Sequence, residues 1–251
     1  MRHGYGEVCP PLSPSPERIR GGEMLAQSLE LAQHQFEQNP ALSSVPLGEP
    51  IGILVLLGFA AEGIWRLARH IGVIAHEGAH ALAGWSVGRK VAWVKLNSDA
   101  TGATLTEGPT AGPGRVVTSF AGYLGPSLAG LGAAALLAHH QVQAVLIVTG
   151  VALFLILLQV RNSFGFVSVL LNGALIVLVL RSGNGEIETI AAYALSWFLL
   201  FSGVRFVFMH GSKAKDAGTL RTITGIPRFV WAALWLVGSL LALWIGARLL
   251  V

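Results

Sequence analysis

The sequence predicts an all-α polytopic membrane protein of about six or seven transmembrane helices, with one small β-hairpin inserted among them. Three observations carry that prediction. Of the 251 residues 53% are hydrophobic and 12% charged, and the mean hydropathy is +0.63, whereas a water-soluble domain carries about 25% charged residues. From Ile51 onward the apolar residues come in runs approaching the ~20 needed to cross a bilayer. Cys9 is the only cysteine, so no intrachain disulfide can staple a small extracellular fold. Such hydrophobicity also excludes disorder for the chain as a whole. The pI of about 9.6 invites a nucleic-acid reading, but no basic cluster interleaved with aromatics exists, so no nucleic-acid partner is expected and the charge is read as membrane topology.

Residues 1–49 read as an N-terminal extension. Met1 to Arg20 is rich in Pro, Ser and charge and reads as unstructured. Glu23 to Gln38 has the apolar spacing of a short surface helix, with Leu25, Leu29 and Phe36. No secretory signal is expected, because the first apolar run begins only near Ile51 and no small-residue cleavage site follows it.

Residues 50–251 read as one membrane-embedded domain. Seven runs stand out, at about 50–65, 71–88, 116–138, 142–160, 165–180, 187–208 and 228–249. Only Arg66 to His70 separates the first two, which form either one long bent helix or two elements. Between the second and third runs, Val91–Leu96 and Ala103–Thr106 read as two short strands, and Asn97, Ser98, Asp99 and Gly102 supply the turn chemistry between them. Seven crossings place Arg66, Arg69, Arg181 and Arg248 on one side and the other thirteen Lys and Arg on or near the opposite side. The positive-inside rule assigns that opposite side, with the N-terminus, to the cytoplasm.

Within the second run stands His76-Glu77-Gly78-Ala79-His80. On a helix, positions i and i+4 lie one above the other, so the two imidazoles share a face at a spacing that suits two corners of a zinc tetrahedron. Glu77 projects beside them, placed to take a proton from an attacking water. This is the HExxH pattern of zinc peptidases. Ionisable groups inside a membrane segment cost about 2.5–3.5 kcal/mol each on insertion scales, so three in five residues call for a function. The bland alternative is a polar helix face packed against its neighbours. A catalytic zinc site has three protein ligands, and the residues leave three candidates for the third. Asp99 lies in the hairpin turn, Glu62 in the first run, and Asp216 after the sixth run, where it would equally serve as an N-cap for a short helix.

A motif of this kind in a membrane helix, followed by a small hairpin, resembles the site-2 protease family of intramembrane zinc metallopeptidases, and most closely a short bacterial branch of it. The likeness extends through Ala121-Gly122-Tyr123-Leu124-Gly125-Pro126, the Arg161-to-Gly165 turn, Asp216-Ala217, Thr224-Gly225-Ile226-Pro227 and Trp231. It covers about residues 50 to 250. The resemblance implies one zinc ion held by His76, His80 and Asp216, with Glu77 catalytic. It also implies a multi-pass protein of the bacterial cytoplasmic membrane that acts on membrane-anchored protein substrates within the lipid bilayer. Two features depart from the family pattern. The Asn-x-x-Pro…Leu-Asp-Gly segment of typical members is absent, and Lys215 stands where this branch usually has Ser. With the second run drawn as 71–88, His76 lies toward the end opposite Asp216. The two then meet only if the 209–217 segment folds back inward or the second helix begins earlier.

The expected function is hydrolysis of peptide bonds in membrane-anchored substrates, with the hairpin strands taking an unwound substrate segment as an added strand. Two other classes compete with it. One is a catalytically silent, zinc-containing membrane scaffold or regulatory binder; the other is a small transporter using the polar face as an ion path. Gly122, Gly125, Gly130 and Gly132 form a small-residue face expected to pack against the zinc helix. Asn162 is expected either to bind substrate backbone or to cap the following helix.

Overall fold

The computed structural model describes residues 48–60 and 62–251. The unstructured stretch and short helix expected within residues 1–47 lie outside the described residues. In chain order the elements are α1 (Gly48–Ala60), α2 (Glu62–Ser86), β1 (Lys90–Leu96), β2 (Gly102–Glu107), α3 (Pro113–Ala138), α4 (Val142–Gln159), α5 (Ser163–Arg181), α6 (Gly185–His210), a 3-10 turn (Gly211–Lys213), α7 (Lys215–Thr224) and α8 (Arg228–Leu250). Among the described residues the chain adopts the expected all-α membrane architecture with a single hairpin.

Among the described residues five helices, α3, α4, α5, α6 and α8, are long and apolar enough to cross a bilayer. The 25 residues of α2 give it a length of about 37 Å, but Glu62, Arg66, Arg69 and Glu77 dilute its hydropathy. Six helices therefore have spanning length, and α1, with 13 residues, is a shorter apolar companion. The boundary between the first two runs differs from the one expected. Arg66 to His70 lies inside α2, and the helix begins at Glu62. Its earlier start moves the His76–His80 pair away from the leading end and toward the hairpin.

Each boundary has a local cause. Gly88, at φ 72°, takes the left-handed conformation that ends α2, and Arg89 N–H reaches back to Gly84 O at 2.8 Å. Pro113 opens α3, where a missing N–H costs nothing. In the hairpin turn, Asp99 Oδ1 accepts from Thr101 N–H at 2.9 Å and from Thr101 Oγ at 2.7 Å. Asn184 caps α6, its side-chain oxygen accepting from Glu186 N–H and Ile187 N–H. Gly225, at φ 74°, closes α7 before Pro227 leads into α8.

The core is built around α3, which packs against α2, α6, α7 and α8. Its small residues make this possible, though they serve two neighbours. Gly122 and Gly125 face α2, whereas Gly130 lies against Leu200 and Ser196 of α6 and Gly132 faces open space. One apolar cluster joins α1, α3, α4, α6 and α8 through Ile51, Ala134, Leu146, Leu200 and Ala242. A second packs the hairpin onto α2 and α4 through Ile74, Ala81, Val94, Leu96 and Ile156.

The hairpin is antiparallel, with Val94 opposite Thr104 and a bulge between Val91 and Trp93. Its outer β1 edge is closed by the α4–α5 turn. Val94 bridges Val160, and Arg161 N–H donates to Val94 O at 3.0 Å. Asn162 neither caps α5 through its side chain nor stands free. Its amide accepts from Leu96 N–H at 3.2 Å and donates to Leu96 O at 2.6 Å, acting as one more strand residue. Hairpin, α4–α5 turn and the α6–α8 connection thus share one end of the bundle. Arg89, Lys90, Lys95, Arg115, Arg161, Lys213, Lys215, Arg221 and Arg228 gather there, while Arg181 and Arg248 lie at the far ends of their helices.

Replacing Asn162 by Ala orphans both backbone groups of Leu96, at a local cost of about 1–3 kcal/mol. Hydrogen exchange of the peptide covering residues 90–107 should accelerate in Asn162→Ala; exchange at the wild-type rate would show that the amide does not hold the hairpin.

Candidate metal centre

The donor set comes from two separated segments. His76 and His80 lie one turn apart on α2, and Asp216 sits in the first turn of α7, about 140 residues later. His80 Nε2 is 3.1 Å from His76 Nε2, and Asp216 Oδ2 is 3.3 Å from His80 Nε2 and 3.5 Å from His76 Nε2. Zinc bonds of about 2.0–2.2 Å at tetrahedral angles set donor–donor edges of about 3.3–3.6 Å. The three donors therefore form one face of a zinc-sized tetrahedron. Among the described residues this is the one group of three such donors.

Hydrogen bonding fixes the electronics. Thr118 O lies 2.7 Å from His80 Nδ1; a carbonyl oxygen only accepts, so Nδ1 carries the proton and Nε2 turns its lone pair toward His76 and Asp216. With His76 Nε2 beside them, two ring nitrogens and a carboxylate oxygen converge on one point, an arrangement suited to a cation. These residues fit a zinc ion by chemistry and by spacing.

The surroundings are shaped to the imidazoles. A methyl group on Gly122 would overlap His80 and crowd His76 Nε2, and one on Gly125 would overlap Ala79, so α3 reaches α2 closely only because both positions are glycine. Tyr123 stands edge-on to the His76 ring at 4.8 Å and stacks on Trp235 at 4.6 Å. Trp235 is anchored in turn by its Nε1–H to Phe120 O at 2.9 Å.

Glu77 is 4% exposed, so its carboxylate depends on protein partners. Thr104 of β2 donates its hydroxyl to Glu77 Oε2 at 2.7 Å. Gly102, also on β2, leaves room for Oε1, since any Cβ there would overlap it. The hairpin is therefore the wall against which Glu77 is set.

The candidate third ligands separate cleanly. Asp216 is brought to the histidines. Asp99 is exposed and committed to Thr101, whose hydroxyl and amide hydrogen bonds lower its pKa. Glu62 opens α2, 14 residues before His76 and so roughly 21 Å away along the helix. Asp216 reaches its partners because α2 begins early and α7 packs back onto α3, which removes the conflict posed by the sequence. Lys215 turns to a separate basic pocket.

Residues 51–246 match a family model described as peptidase M50B-like. The chain belongs to that family, a site-2 protease family of membrane metallopeptidases. No curated protein and no solved structure matches the chain. The match reaches into every described helix of this M50B-like chain and covers the whole of α7, which carries Asp216.

Several residues of the site were not singled out from the sequence. Thr118, Thr104, Gly102 and Trp235 act through backbone carbonyls, strand pairing and ring packing. None of these leaves a periodic mark, apart from a lone glycine at a strand start.

Gly122→Ala should sharply lower the zinc content of the purified protein, whereas Gly132→Ala, with open space around it, should match wild type in elemental analysis. Equal zinc in the two variants would show that the α2–α3 contact does not set the donor geometry.

Proposed function

We propose that this M50B-like protein is an intramembrane zinc metallopeptidase, hydrolysing peptide bonds of membrane-anchored protein substrates. One zinc ion would be held by His76, His80 and Asp216. The observation that carries this reading is the triangle of His76 Nε2, His80 Nε2 and Asp216 Oδ2, with edges of 3.1, 3.3 and 3.5 Å, beside the buried Glu77. When bound, zinc supplies Lewis acidity toward water and the scissile carbonyl.

The chain's own residues do the rest. Glu77 accepts the proton of the attacking water and returns it to the leaving amine. Thr104 grips Glu77 Oε2 and keeps the carboxylate aimed during that exchange. His80 is held in one tautomer by Thr118 O, and the Tyr123–Trp235 stack walls the His76 ring. A transmembrane substrate must unwind before attack, because its peptide groups are hydrogen-bonded to one another. The unwound segment would pair with β2, since Val160 and Asn162 already occupy the β1 edge. The cation-rich hairpin end would face the cytoplasm of a bacterial cytoplasmic membrane, and residues 1–49 would form an extension to a catalytic domain spanning 50–251.

Glu77→Gln tests the mechanism. The full chain carrying it, in detergent or a lipid disc, should keep its zinc and lose cleavage of a membrane-anchored substrate by about 10²–10⁴-fold. Retained turnover would rule the mechanism out, and zinc without hydrolysis in wild type would leave a structural scaffold.

Ligand assignment has its own test. Asp216→Ala should deplete zinc and Asp99→Ala should not; the opposite pattern would transfer the role to the hairpin.

A further inference from the structure

Beside the metal centre, but apart from it, lies a pocket of about 580 Å³ lined by Arg89, Arg115, Lys215 and Arg228 together with Thr106 and Thr219. Its size falls within the range of small-ligand sites, about 300–1,000 Å³. Four cations border one cavity, no carboxylate lines it, and among the described residues none of the four forms an ion pair. Arg89 is 7% exposed and held from behind, donating to Thr106 Oγ1, Thr106 O and Pro109 O. Arg115 approaches the same Thr106 hydroxyl at 3.5 Å, so two guanidiniums crowd one neutral group. Like charges gathered without a counter-charge are stabilised by an anion shared among them.

The place of the pocket selects the anion. Arg115 and Arg228 lie in the first turns of α3 and α8, two helices of spanning length and apolarity. In a bilayer crossed by α3 and α8, the cavity would open at the depth where the headgroups begin. Its rim is apolar where lipid would continue: Leu105 and Ile223 line it, and Phe229, next to Arg228, is 68% exposed. Basic pockets between membrane helices recognise anionic headgroups by this combination of charge and apolar border. We propose that the pocket is a phosphate-binding site whose ligand is the headgroup of an anionic phospholipid. One wall of the pocket is α7, the helix that carries Asp216 on an adjoining face, so the anion would sit directly against the element that completes the donor triangle.

The test uses the full chain in neutral detergent and measures, by native mass spectrometry, the apparent Kd for phosphatidylglycerol, phosphatidylcholine and inorganic phosphate, each added alone. Phosphatidylglycerol should bind more tightly than phosphatidylcholine. The Lys215→Gln/Arg228→Gln pair should weaken it about 25-fold, on a scale of about fivefold per cation near the membrane surface. Lys215→Arg/Arg228→Lys should keep the affinity, which separates charge loss from misfolding. Lys90→Gln/Arg161→Gln, at the same end of the bundle but outside the pocket, should keep it too. Inorganic phosphate binding with the same variant sensitivity, in the absence of lipid binding, would support the phosphate site and assign it a soluble ligand. Affinities unchanged by the Lys215/Arg228 pair, or lowered equally by the Lys90/Arg161 pair, would overturn the proposal.

Discussion

Everything at the candidate metal centre depends on how closely α3 approaches α2. In an apolar solvent, helix association gains nothing from the hydrophobic effect, so packing and polar contacts must supply the attraction. Gly122 and Gly125 let the two backbones meet where any side chain would collide with His80 or Ala79. That contact brings Thr118 O to His80 Nδ1 and the Tyr123 ring to His76. It also gives α7 a surface on α3 from which Asp216 can reach both imidazoles. Steric permission at two positions thus precedes the electrostatics of three.

The hairpin has two distinct tasks. On one side it is tied to the α4–α5 turn by Val160, Arg161 and Asn162, which fixes its position against the bundle. On the other it presents Thr104 and Gly102 to Glu77, so a buried carboxylate has both a donor and room for its second oxygen. A buried carboxylate lacking such support would be costly. The hairpin is best understood as part of the site's wall, held in place by an asparagine side chain that imitates a strand.

Much of the architecture was legible in the sequence because the bilayer imposes a simple rule: long apolar runs become helices, and charges collect at their ends. The runs beginning near residues 116, 142, 165, 187 and 228 became α3, α4, α5, α6 and α8 with shifts of a few residues. The boundary shifted where that rule was diluted. Arg66 and Arg69 interrupt the hydropathy of α2 and leave one bent helix and two elements equally open, yet backbone hydrogen bonding within a helix is indifferent to such charges, and α2 runs through them from Glu62. The small-residue face was likewise half legible. Glycines at 122, 125, 130 and 132 predict close packing, but which neighbour each one meets follows from helix crossing, and two of the four do not touch α2.

The sequence by itself determined the membrane class, the hairpin, and the pair of imidazoles one turn apart, since each follows from local periodicity and spacing. Only the tertiary structure shows which of Asp216, Asp99 and Glu62 lies with the histidines, because that depends on which of three distant segments is carried to them. It also decided the partners of Glu77 and of His80, and the gathering of four cations around one cavity. Contacts between residues far apart in the chain are set by how helices cross and where each one starts, and no local pattern encodes either.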